Sequence, residues 1–84
     1  MDKQLKQIEV ITSTNIEGKM RPHKFRLQAE DESLVVVPIM GIIYMEEDKK
    51  EKRIKYRVKC VIQNKERICD LFFYKSEMKW YVFM

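Results

Sequence analysis

Cys60 and Cys69 carry the most specific reactivity in this chain of 84 residues. A cysteine pair can do redox work or hold a metal, and spacing separates those uses. Eight residues lie between them, not the two of a zinc knuckle or a thioredoxin-like site. A metal would need two more ligands, and His23 is the only histidine. The expectation is a pair of buried, reduced thiols on neighbouring strands, able to form a disulfide only under oxidation. His23 lies in Arg21-Pro22-His23-Lys24, where neighbouring cations disfavour its protonation, and a surface position is expected. Ser13, Ser33, Ser76, Thr12 and Thr14 carry no elbow or triad signature. The carboxylate clusters Glu30-Asp31-Glu32 and Glu46-Glu47-Asp48 lack the glycine and spacing of a calcium loop, and no Gly-rich phosphate loop exists. No catalytic, cofactor-binding or metal-binding residue is assigned, and no enzyme activity is expected.

Basic and aromatic residues are the other resource. Lys19, Arg21, Lys24 and Arg26 cluster in one segment and Arg53, Lys55, Arg57 and Lys59 in another. Basic tracks beside stacking aromatics bind single-stranded nucleic acid in small barrels. Aromatics with Arg and Met also form the cores of protein interfaces. The simplest account is that Lys and Arg solubilise outer strand faces and cover aromatics with their aliphatic stems.

Strands are needed to position these residues. In RIKYRVKCVI (residues 53–62), Ile54, Tyr56, Val58, Cys60 and Ile62 alternate with Lys55, Arg57 and Lys59, the period of a half-buried strand. β-Branched and aromatic runs separated by polar clusters predict an all-β fold. Strands are expected over residues 7–14 and 20–28, with a turn at residues 15–19 where Gly18 takes positive φ. Pro22 should lie at an edge or strand start. After a turn at residues 29–33, the apolar stretch 34–45 is broken by Pro38 and Gly41, which predicts two short strands meeting at a bend or bulge. Residues 46–52 read as a solvated hairpin tip. Two hairpins close the chain. A turn centred on Asn64-Lys65 sets Cys60 opposite Cys69, Val58 opposite Leu71, Tyr56 opposite Phe73, Lys59 opposite Asp70 and Arg57 opposite Phe72. A turn at residues 75–78 sets Phe73 opposite Trp80, Leu71 opposite Val82 and Phe72 opposite Tyr81. The outer face then holds Lys55, Arg57, Lys59, Phe72, Tyr74 and Tyr81, with Phe83 and Lys79 nearby, and Met78 or Met84 could join it.

The run Gly18-Lys19-Met20-Arg21-Pro22-His23-Lys24-Phe25-Arg26, with Arg67-Ile68-Cys69-Asp70-Leu71 and Lys79-Trp80-Tyr81-Val82-Phe83, resembles short all-β proteins of Firmicutes. They share a G-K-x-x-P-x-x-F-R turn and a closing aromatic strand with Trp. The resemblance implies a small barrel and carries no activity or ligand set. Val37-Pro38 departs from it where a regular strand is expected.

The chain is expected to be one domain, a strongly curled antiparallel sheet or SH3-like half-open barrel of five or six strands, with residues 1–6 frayed. Its expected core is Ile8, Val10, Phe25, Leu27, Val35, Val37, Val58, Cys60, Leu71, Phe73, Trp80 and Val82. Net charge is +4 and the sequence pI about 9.1, compatible with polyanion contact but common among small proteins. No apolar run spans a bilayer and the N-terminus lacks the apolar core of a signal peptide, so the cytoplasm is expected. The expected role is a non-enzymatic interaction module binding a protein, or its own copy, through the aromatic and basic face. The alternative is single-stranded DNA or RNA on the same face. Neither a membrane nor a small-molecule substrate is expected.

Overall fold

The computed structural model describes residues 4–29 and 31–84. Six antiparallel strands, β1 (Leu5–Thr14), β2 (Met20–Gln28), β3 (Leu34–Asp48), β4 (Arg53–Ile62), β5 (Lys65–Tyr74) and β6 (Lys79–Phe83), follow one another around a barrel. Pairing of β1 with β6 closes it, so the sheet curls further than a half-open barrel. Leu5 and Lys6, expected to fray, lie opposite Phe83 and Val82, and Gln4 and Met84 exchange backbone hydrogen bonds of 2.9 and 3.3 Å.

Closure of so small a barrel requires corners, and two strands supply them by changing partner. β1 pairs with β6 through Ile8 and with β2 from Glu9. β3 pairs with β2 through Pro38 and with β4 from Ile39. The apolar stretch is therefore one long strand, not two. Its irregularity survives as register shifts that leave Met40 and Ile43 as extra residues against β4. Pro38, which has no N–H to donate, stands where the strand passes from one partner to the other. Pro22 stands near the start of β2, in the stretch that β3 does not pair, as its missing N–H requires. It is buried within β2, opposite Thr12, beside the shift that leaves His23 as an extra residue.

Alternating side chains fill the interior. Ile8, Phe25, Val37, Tyr56, Val58, Cys60, Cys69, Leu71, Phe73, Trp80 and Val82 are buried, while Val10, Leu27 and Val35 pack partly buried around them. Trp80 lies 5.0 Å from Phe73 and 5.6 Å from Tyr56, ring centre to ring centre. The β5–β6 register is as read from sequence, with Phe73 opposite Trp80 and Phe72 opposite Tyr81.

The β4–β5 register is two residues away from the expected one. Gln63 and Asn64 both take positive φ, 53° and 63°, as a type I′ hairpin turn demands. Asn tolerates that region better than Lys65, which instead begins β5 opposite Ile62. Val58 therefore faces Cys69, Tyr56 faces Leu71, Cys60 faces Arg67 and Arg57 faces Asp70. A two-residue shift keeps every side chain on its face, so the core is as expected while outer partners change.

Candidate functional site

On the outer wall, cross-strand pairing arranges side chains in rows. Asp48, Arg53, Tyr74 and Lys79 form one row; Glu46, Lys55, Phe72, Tyr81 and Gln7 form the next; Tyr44, Arg57, Asp70, Phe83 and Leu5 follow. The structure thus brings Lys55, Arg57, Phe72, Tyr74 and Tyr81 together. Lys59 stands one row further, opposite Ile68. Met78 sits in the β5–β6 turn and Met84 packs against the core, so neither joins the face.

Asp70 organises this wall. Its carboxylate accepts two hydrogen bonds from Arg57, from Nε at 2.8 Å and from the terminal nitrogen at 3.2 Å. Lys55 Nζ approaches it at 3.8 Å. The hydrogen bond with Asp70, reinforced by its charge, raises the Arg57 pKa above the ordinary guanidinium value. Lys59 pairs with Glu66 at 3.9 Å, not with Asp70 as the sequence register had it. The ring over Arg57 is Tyr44, at 5.1 Å, not Phe72. Phe72 is covered by Arg53 at 4.7 Å, whose guanidinium also donates to Tyr74 Oη at 3.0 Å and lies 3.8 Å from Asp48. Tyr74 and Tyr81 meet edge to face at 5.3 Å.

Five cations (Arg53, Lys55, Arg57, Lys59, Lys79) project from β4–β6 among four carboxylates (Glu46, Asp48, Glu66, Asp70) on β3–β5. The face is therefore close to neutral although the chain carries +4. Tyr44 and Phe83, each 37% exposed, are its most open rings. Sequence reasoning set Asp70 on this face and Arg53 in the same basic run, and missed Tyr44, whose place depends on the β3–β4 register.

Two further groupings bear chemistry. Cys60 and Cys69 have sulfurs 3.4 Å apart, both buried and reduced, diagonal to one another rather than directly opposed. Their mutual hydrogen bond, with burial behind it, pushes the Cys69 thiol well above the ordinary range. Ser13 Oγ lies 2.6 Å from His23 Nε2, a contact sequence reasoning did not foresee. Both residues are exposed, and no carboxylate orients the ring among the described residues, so the pair lacks the third member and dry setting of an activated nucleophile. No group of three or more potential metal ligands occurs among the described residues, and they contain no helix long and apolar enough to cross a membrane.

Comparisons with protein-family models, with curated proteins and with solved structures find no match to this chain.

Proposed function

We propose that this barrel is a non-enzymatic interaction module that pairs with a second copy of itself through the outer wall of β3–β6. The observation that carries this reading is the neutralisation of Arg57 and Lys55 by Asp70. A track for nucleic acid needs cations ready to replace phosphate counterions. Here Arg53, Lys55, Arg57 and Lys59 already hold carboxylates or lie over aromatic faces. Two-fold self-association sets one patch against itself, which a strongly charged patch would oppose. Near-neutral charge with Tyr, Phe and Arg at the centre suits it. A standard interface needs about 800 Å² per partner, about an eighth of the 6431 Å² accessible surface. The reduced thiol pair fits a reducing compartment, and we place the module in the cytoplasm.

Sedimentation velocity from about 1 μM to 1 mM protein tests this directly. A concentration-dependent dimer is expected, and Tyr44→Asp or Phe83→Glu should return it to monomer with the melting transition retained. A dimer indifferent to both substitutions would place the interface elsewhere and overturn the reading. A monomer throughout, with oligonucleotide binding that collapses between about 50 and 200 mM salt, would hand the face to single-stranded nucleic acid.

A further inference from the structure

The strand exchange that closes the barrel also opens it at one end. β2 pairs with β3 only from Lys24 onward, and β3 pairs with β4 from Ile39. Residues 20–23 of β2 and the second half of β3 therefore have different partners, and a cavity of about 710 Å³ lies between them. Tyr56, Phe73 and Ile54 line it from β4 and β5, and Met20, Ile42 and Met45 line it from the two parted strands. Its volume falls within the ~300–1,000 Å³ range of small-molecule sites, and barrel mouths are a common place for them. Methionine lends the walls adaptability, and Met45 is 54% exposed with no packing role that would account for it.

The rim carries a sign. Lys19, Arg21 and Lys75 line it together with a single carboxylate, Glu47. Glu47 is already held by Lys75 at 2.7 Å, which lowers its pKa. Lys19 lies 3.8 Å from Glu17, and Arg21 makes no ion pair among the described residues. An apolar cavity with a cationic rim fits a molecule having an apolar chain and an anionic head.

We propose that the mouth between β2 and β3 binds a single-chain anionic amphiphile, with the chain against Ile42, Met45 and Ile54 and the head at Arg21. This site is separate from the outer wall and does not depend on it. Trp80 touches both Tyr56 and Phe73, so its fluorescence reports on the cavity.

Dodecanoate and dodecyltrimethylammonium, each below its micelle concentration, and dodecanol, below its solubility limit, are the probes. Dodecanoate should shift Trp80 emission saturably at one per chain and bind at least about tenfold tighter than the ammonium analogue. Amide shifts should centre on residues 20–23 and 42–45. Arg21→Glu, at an exposed position, should weaken dodecanoate about tenfold while leaving dodecanol unchanged. No saturation, equal affinity for the two charged probes, or an Arg21→Glu variant that binds dodecanoate normally would each overturn the proposal.

Discussion

Tyr56→Phe isolates the hydrogen bond that spans the parted strands. The Tyr56 hydroxyl donates to the Met20 carbonyl at 2.8 Å, joining β4 to β2 across the mouth where β3 no longer lies between them. The substitution leaves the ring in place beside Trp80, so it opens no cavity beyond one oxygen. A typical intramolecular hydrogen bond contributes about 0.5–1.5 kcal/mol, and a carbonyl left buried without a partner adds about 1–3 kcal/mol. Met20 is only partly buried and lines the cavity, so water can take over its carbonyl. The expected cost is therefore about 1 kcal/mol, or a fall of roughly 4–8 °C in Tm for a domain of this size. Urea unfolding followed by Trp80 fluorescence gives the equilibrium value, and amide exchange gives the location. Exchange should quicken at residues 20–23 and stay unchanged in the β4–β5 hairpin. Burial also raises the Tyr56 pKa. The stability it confers is thus complete below the ordinary value near 10 and declines as pH rises through the folded value. Tyr56→Phe should abolish that alkaline component. A loss under about 0.3 kcal/mol with unaltered exchange at residues 20–23 would refute the strut.

Other expectations follow from the core and rim. Trp80→Ala removes a buried ring packed on Tyr56 and Phe73 and should cost about 3–5 kcal/mol in denaturant titration; unchanged melting would contradict the packing described. The Cys60 and Cys69 thiols should react with a disulfide reagent at least about tenfold more slowly in the fold than in urea. Diamide, the oxidant, should join them within one chain, with mass spectrometry showing two hydrogens lost; prompt native reactivity would be inconsistent with their burial. Lys75 holds the Glu47 pKa down, so its stabilising effect is complete above the ordinary glutamate value and disappears as pH falls through the folded one. Lys75→Met should flatten the acid limb of the stability profile, and an identical limb in both proteins would exclude the pairing.

The faces of the barrel were legible because burial enforces a period of two. Ile54, Tyr56, Val58, Cys60 and Ile62 had to point one way, since turning them out would expose the centre of the core. The same logic cannot choose between registers differing by two residues, which bury the same set. That choice rests on the turn and on outer pairs. Gln63-Asn64 can supply the two positive φ values of a I′ turn, and this register sets Arg57 against Asp70 for a two-point contact. The expected register gave Asp70 to Lys59, a single flexible ammonium, and gave Arg57 an aromatic ring. The shift changes partners and not members of the wall: Arg57 faces the Asp70 carboxylate in place of the Phe72 ring.

The mouth was illegible for a different reason. Its lining comes from residues far apart in the chain, and it exists because β2 and β3 separate after Lys24 and Pro38. Pro38 and Gly41 did signal a disturbed strand, and the structure shows what the disturbance does. An unbroken ladder between β2 and β3 would have placed the second half of β3 beside residues 20–23 and closed the space over Tyr56. Pro38 ends that pairing, and the extra residues Met40 and Ile43 then turn β3 along β4. Pro22 and the extra residue His23 bend β2 against β1 on the other side of the gap. The prolines and bulges that look like defects in a strand pattern are what give the barrel both its closure and its opening.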